Sequence, residues 1–251
     1  MKLLRIALRP ETAMPMLALA FASAVCLGLV CAQIVWTGNI RYGFLAWNLF
    51  LAWLPLAFAL LAQERFQQAA ARNWRFAGLA GAWLLFFPNA PYIFTDLIHL
   101  TARFSAHFWV DLVLILSCAL TGLVLGFVSL YLMQGLVKRM LGGPASWLFI
   151  AGVAGLSGFG VWLGRFLRFN SWDVLCRPVE LCSGLGFWVA NPRGHRASLA
   201  FPALFGTFLF ITYLMLYALT HLRHAQPAAL PAESRKPGHP RVTPPLGAAS
   251  A

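Results

Sequence analysis

Charged residues, and acidic ones above all, are scarce in this sequence. Only 7 of its 251 residues are Asp or Glu, and charged residues make up 10% of the chain. A soluble domain carries about 25% charged residues, whereas 60% of this chain is hydrophobic. The composition therefore excludes an ordinary soluble domain and predicts a polytopic membrane protein.

Sequence signatures of the common enzyme and cofactor classes are also missing. The chain contains no P-loop, G-x-G-x-x-G, G-x-S-x-G, C-x-x-C or H-E-x-x-H pattern. Each of these patterns supports a defined chemistry, from phosphate binding to nucleophilic attack and zinc ligation. The sequence therefore names no cofactor and no enzyme class.

Basic residues outnumber acidic ones and give a net charge of +12. In a soluble protein such a charge would suggest a nucleic-acid partner. Here Lys and Arg lie in the gaps between apolar runs, as orientation signals and contacts to lipid head groups do. We predict membrane lipids as partners and no nucleic acid.

Apolar runs follow one another along most of the chain. A helix needs about 20 mostly apolar residues to cross a hydrocarbon core about 30 Å thick. We predict an all-α transmembrane bundle of about six spans within a single domain, residues 1–224, followed by a disordered Pro- and Ala-rich tail, residues 225–251. The predicted spans are 14–36, 42–62, 76–94, 108–137, 145–163 and 201–222.

Charge counting leaves the role of the third apolar run open. With six spans and both termini inside, the inner loops hold 12 Lys and Arg and the outer loops 7; a five-span arrangement with a re-entrant third run gives the same numbers. We prefer six spans because residues 76–94 are long enough to cross. In both arrangements the segments around residues 96 and 168 emerge on the same membrane face.

The segment Phe86–Leu100, FFPNAPYIFTDLIHL, carries two prolines inside an apolar run. Proline lacks a backbone donor and clashes with the preceding turn, so we predict that the third span breaks at Pro88 and Pro91. Pro91 would be the first residue of a new helix. Backbone groups freed at membrane depth need partners within the protein, so Asn89 is expected to turn inward and bond them.

Polar residues gather just after this break and again in Gly164–Val174, GRFLRFNSWDV. Asp96, His99 and Arg103 would share one face of the new helix. Charged groups near or within a bilayer are costly, so their clustering is a functional hypothesis. The candidate catalytic residues, which would exchange protons, are Asp96 and His99. The candidate substrate-binding residues are Asn89, Arg165, Arg168, Asn170 and Asp173.

A purely structural interpretation of these charges is equally open. Asp96 and Asp173 would then pair with Arg165, Arg168 or Arg103 only to lock the bundle, since ion-pair networks are often structural. In either case Asp96 is expected within salt-bridge distance of Arg165 or Arg168, because an unpaired charge at this depth is costly.

The residue types favour an anion as ligand. A helix beginning near Pro91 would point free N–H groups and its positive dipole end into the break. Arg165 and Arg168 add charge suited to phosphate or carboxylate. We therefore expect a lipid-linked phosphate or an anionic lipid head group.

A metal site is the weaker alternative. Asp96 with His99, and His107 with Asp111, have spacings that present two ligands on one helical face. Such isolated pairs arise by chance, so we assign no metal ligand.

Cys176 and Cys182 lie in the loop before the last apolar run. They could form a disulfide if that loop faces an oxidising compartment. A regular helix would place them about 240° apart around its axis, so pairing requires an irregular path, which Pro178 makes plausible.

Three blocks of the sequence, Asn48–Leu60, Phe86–Leu100 and Gly164–Val174, together resemble a family of uncharacterised bacterial multi-pass membrane proteins, known as a domain of unknown function. The resemblance covers residues 42–222. It implies a protein of the bacterial cytoplasmic (inner) membrane and supplies no activity.

Three functions are compatible with these observations. The leading hypothesis is a site that binds or processes an anionic, lipid-linked substrate. The second is a small transporter gated at the Pro88–Pro91 break, since broken helices mark many transport sites, and the third is an assembly or scaffold subunit without chemistry. Asn48 facing the break would favour the first two, and polar residues facing lipid would favour the third.

Overall fold

The computed structural model describes residues 10–68, 74–100, 108–171, 173–190 and 196–221. Within these ranges the chain forms α-helices and one 3-10 helix, Ile93–His99, and no strand. The α-helices are α1 (Pro10–Thr37), α2 (Phe44–Gln68), α3 (Trp74–Phe86), α4 (Asn89–Tyr92), α5 (Phe108–Leu141), α6 (Gly143–Phe166), α7 (Asp173–Cys176), α8 (Pro178–Ala190) and α9 (Arg196–Thr220).

Six helical stretches in the described ranges are long and apolar enough to cross a membrane. Five spans come from α1, α2, α5, α6 and α9, and the third span runs from Trp74 to His99 through α3, α4 and the 3-10 helix. The prediction of an all-α bundle with six spans is confirmed. The predicted tail, Arg103 and His107 lie outside the described residues.

The third span bends at its two prolines, as predicted. The helix α3 ends at Phe86, and Pro88 keeps helical dihedral angles, φ −60° and ψ −21°. The Tyr92 N–H bonds the Pro88 carbonyl at 3.0 Å, so the backbone bends without unwinding. The predicted start of the second helix was wrong, because α4 begins at Asn89 and Pro91 lies inside it.

After one α-helical turn the third span tightens into the 3-10 helix. A 3-10 helix has about three residues per turn, so side chains at i and i+3 lie above one another. Asp96 and His99 therefore share a face although the helix type differs from the predicted α-helix.

Two glycines of α5 pack against the inner side of the bend. A Cβ at Gly122 would lie 2.7 Å from Ile93 Cδ1 and 2.9 Å from the Ala90 carbonyl oxygen, and one at Gly126 would lie 3.0 Å from Ala90 Cβ. Small residues at such positions let helix backbones approach closely in lipid. The bend therefore lies directly against the α5 backbone.

Two glycines of α6 contact the same bend from another side. A Cβ at Gly160 would lie 2.8 Å from Pro88 Cγ, and one at Gly164 would lie 3.0 Å from Tyr92 Cε2. The bend therefore packs between α5 and α6. These contacts place the polar end of α6 beside the polar end of the third span.

Enlarging Gly122 tests this packing. Gly122→Ala places a methyl group against the backbone of the bend, so we expect the free energy of unfolding to fall by about 1–3 kcal/mol. Gly135→Ala in the same helix is the matched control, because its Cβ meets nothing within 4 Å. Thermal unfolding of both purified variants in one detergent measures the difference, and equal stabilities would contradict the contact.

Candidate functional site

Asp96 is the buried centre of the polar face, with 1% of its surface exposed. Its Oδ1 accepts a hydrogen bond of 2.5 Å from the Arg165 guanidinium at the end of α6. Its Oδ2 accepts one of 2.8 Å from Asn48 Nδ2 on α2. The expected approach of Asp96 and Arg165 is confirmed, and the carboxylate joins three spans.

Arg165 is held by more than its ion pair. Its Nε and Nη2 atoms donate to Thr95 Oγ1 at 3.1 and 2.6 Å, and its guanidinium lies over the Tyr92 ring, 4.6 Å from the centroid. The side chain is 16% exposed. Arg165 therefore connects α6 to the third span, which is the arrangement that the structural interpretation predicts.

Asn89 satisfies the backbone at the bend, as predicted. Its Nδ2 donates to the Phe86 carbonyl at 3.0 Å. The Ala90 N–H, which would bond this carbonyl in a regular α-helix, bonds the Phe87 carbonyl at 3.1 Å instead. The same amide donates to Ser171 Oγ at 2.9 Å. Asn89 therefore also connects the bend to the loop that follows α6.

Arg168, in contrast, is exposed and takes a backbone φ of 58°. This left-handed conformation is unfavourable for residues other than glycine by about 1–2 kcal/mol. It closes the end of α6, where the Phe169 N–H returns to the Leu163 carbonyl at 3.2 Å. In the described part of the chain, the Arg168 guanidinium has neither an ion pair nor a hydrogen bond.

His99 lies beside Asp96 without bonding it. Its Nε2 is 3.9 Å from Asp96 Oδ1, which is too long for a hydrogen bond. The ring packs on Phe44, with centroids 5.1 Å apart, and the side chain is 44% exposed. Both Asp96 oxygens have other partners. In this arrangement, therefore, no hydrogen bond joins Asp96 and His99 through which a proton could pass directly.

The Asp173 side chain bonds the backbone of its own loop. Its buried carboxylate accepts the Asn170 N–H at 2.6 Å, while its own N–H donates to the Asn170 carbonyl at 3.0 Å. These local bonds close the turn before α7. Asp173 therefore shapes the loop that presents Asn170.

Asp111 belongs to a separate cluster on the same face. It accepts hydrogen bonds from Gln33 Nε2 at 2.7 Å and from the Tyr42 hydroxyl at 2.8 Å. Burial, and then the hydrogen bond to this carboxylate, raise the pKa of Tyr42 to about 12, so the phenol stays protonated and donates. In the described ranges no three His, Cys, Asp or Glu side chains gather as metal ligands.

Cys176 and Cys182 are both free and exposed, Cys176 at the end of α7 and Cys182 within α8. The disulfide considered from the sequence is not formed. The chain between them passes from one helix directly into the next, so the irregular path that pairing requires is limited to Arg177.

A cleft of about 930 Å³ lies between α2, the third span, α6 and the loop after α6. Six of the seven predicted site residues line it, and Asp173 does not. The lining members are Asn89, Asp96, His99, Arg165, Arg168 and Asn170. The helix N-terminus expected at Pro91 for an anion is not formed there, because α4 begins at Asn89 and the N–H groups of Ala90 and Tyr92 bond the Phe87 and Pro88 carbonyls.

The other half of the cleft is apolar. Leu51, Leu84 and Leu156 line it, together with Gly81. Leu156 lies near the middle of its span and is 56% exposed, so this part of the cleft is open to surroundings that are lipid at this depth. The cleft therefore joins a polar end at the membrane face to an apolar channel within the bundle.

Asn48, Ser157 and Ser171 also line the cleft and were absent from the predicted site. Asn48 had a signal, since it is an amide inside a long apolar run, and it bonds Asp96, which follows the Pro88–Pro91 break. Ser171 stands beside a predicted site residue. Ser157 had no signal, because it lies among small residues that are typical of helix packing.

Separating the charges of Asp96 and Arg165 tests their structural role. Asp96→Asn and Arg165→Met each leave one buried charge without its partner, so we expect each to lower the free energy of unfolding by about 3–5 kcal/mol. The double variant should lose clearly less than the sum of the two single losses. Unfolding in one detergent measures the cycle, and purely additive losses would show that the pair contributes nothing.

Comparison with known proteins identifies a family. Residues 47–215 match the model of a family described as a protein of unknown function, DUF1361. No curated protein and no solved structure matches the chain. The matched range contains all seven predicted site residues, the bend and every residue that lines the cleft except Phe44. The chain therefore belongs to the DUF1361 family.

Proposed function

We propose that this protein binds an anionic, lipid-linked substrate in the cleft, with the head group at Arg168 and the hydrocarbon chain in the apolar channel. One observation carries the proposal. One end of the cleft holds Arg168, which has no partner in the described residues. The other end of the same cleft is an apolar channel at membrane depth. A ligand with one anionic end and one apolar end matches both halves.

The head-group end has a simple charge balance. Arg165 is neutralised by Asp96 at 2.5 Å, so Arg168 supplies the positive charge that is left for a ligand. A guanidinium presents paired N–H donors suited to phosphate or carboxylate oxygens. Exposed Asn170 beside it adds amide donors.

In this proposal Arg165 and Asp96 position the site, and Arg168 binds. Arg165 has its guanidinium engaged by Thr95, Asp96 and the Tyr92 ring. If the substrate is processed as well as bound, His99 is the group that exchanges protons, because its imidazole is partly exposed in the cleft and its ring nitrogens can donate or accept a proton.

The close contacts around the bend favour a fixed site over a gate. Gly122 and Gly160 bring α5 and α6 against the bend, and both contacts would have to separate for the third span to move.

With both termini inside, the positive-inside rule puts the cleft at the outer face of a bacterial cytoplasmic membrane.

Arg168→Gly separates binding from folding. Glycine adopts a φ of 58° without strain, so we expect unchanged stability or a gain of about 1 kcal/mol. Loss of a charge-assisted hydrogen bond should weaken binding of dioleoylphosphatidylglycerol about 10-fold or more. Native mass spectrometry of lipid-bound protein measures the affinity.

The control for this change is Arg177→Gln. It removes the same charge from the same membrane face, but Arg177 does not line the cleft and pairs only weakly with Glu180 at 3.7 Å. We expect its lipid affinity to match that of the unaltered protein. An equal loss in both variants would show a general charge effect and would refute a site at Arg168.

Cys176 and Cys182 report which side the cleft faces. Since both thiols are free and exposed, an outer loop predicts labelling of intact cells by a membrane-impermeant maleimide without prior reduction. The double variant Cys176→Ser/Cys182→Ser is the control, because it measures the labelling of the remaining cysteines alone. Labelling that begins only after the membrane is permeabilised would move the site to the cytoplasmic side.

A further inference from the structure

Ser157 stands out in the apolar wall of the cleft. It lies on α6, is 1% exposed, and its hydroxyl has no hydrogen-bond partner among the described residues. Several other hydroxyls in the spans donate to their own helix, as Ser129 does to the Gly126 carbonyl and Thr212 to the Phe208 carbonyl, each at 2.7 Å. Ser157 departs from this pattern.

A buried hydroxyl without a partner is unfavourable, and the surrounding lipid supplies no water to satisfy it. Ser157 lies eight residues before Arg165 on one helix, which is about 12 Å along the helix axis. A serine hydroxyl turns by rotation about one bond. A ligand atom that accepts its hydrogen bond would therefore lie deeper in the membrane than the head group.

This depth distinguishes two classes of anionic lipid. An isoprenoid phosphate is an unbroken hydrocarbon below its phosphate and offers no acceptor there. An acylated lipid carries ester carbonyl oxygens between its head group and its chains, and these oxygens accept hydrogen bonds.

We infer that the occupant of the cleft is an acylated anionic lipid that enters from the bilayer between α2 and α6, with an ester carbonyl accepting a hydrogen bond from Ser157 and an acyl chain passing Gly81. This inference rests on the proposed function and names its substrate class. The open surroundings of Gly81, where a Cβ would meet nothing within 4 Å, provide the room for the chain.

The test compares two forms of phosphatidylglycerol that share head group and chain length. One has ester-linked chains and the other ether-linked chains, so the two lipids differ in the carbonyls. Purified protein is titrated with each lipid, and native mass spectrometry measures affinity. We expect the unaltered protein to prefer the ester lipid by about 2- to 10-fold, the range of one neutral hydrogen bond. Ser157→Ala should bind both lipids equally.

Gly81→Leu tests the path of the chain, with Gly78→Leu as the matched control. Both glycines lie on α3, and a Cβ at either position would meet nothing within 4 Å, but of the two Gly81 alone lines the cleft. We expect Gly81→Leu to weaken both lipids about 10-fold or more, because the new side chain fills the channel. Gly78→Leu should leave both affinities unchanged.

Three results would overturn the inference. They are equal affinity of the unaltered protein for the two lipids, an ester preference that survives in Ser157→Ala, and tighter binding of undecaprenyl phosphate than of the ester lipid. Each leaves the proposed function standing if Arg168→Gly still weakens the anionic lipids. If Arg168→Gly weakens none of them, the proposed function fails as well.

Discussion

The ion pair between Asp96 and Arg165 is the interaction on which the polar face depends. Two opposite charges away from water attract strongly, but each is costly to bury alone. Their contact fixes the end of α6 against the third span and brings Asn48 of α2 to the same point. The loop that carries Arg168 and Asn170 begins two residues after Arg165, at Leu167, so its position follows from the pair.

The sequence predicted those features that depend on few and chemically distinct residues. Two prolines in an apolar run specify a bend, whatever the rest of the chain does. With only seven acidic residues in the chain, few pairings were available, so the contact of Asp96 with Arg165 could be anticipated. The inward turn of Asn89 followed from the need to satisfy backbone groups in lipid.

The features that the sequence did not predict depend on local geometry or on packing. Asp173 has the residue type of a binding group, yet its carboxylate bonds the backbone three residues earlier, a competition that composition does not reveal. The start of α4 at Asn89 reflects helical dihedral angles at Pro88, which proline permits as readily as a break. Gly81 and Ser157 are ordinary small residues, and only the arrangement of three spans gives them a common channel.

The open side of the cleft changes how much affinity the site requires. A ligand confined to the bilayer meets the channel at the concentration of lipid within the membrane, which is far above that of a soluble anion in the surrounding water. Confinement of this kind raises the effective concentration and so reduces the number of contacts needed for occupancy. A single arginine at the mouth, which would hold a soluble phosphate only weakly, would therefore be sufficient for the lipid ligand that we propose.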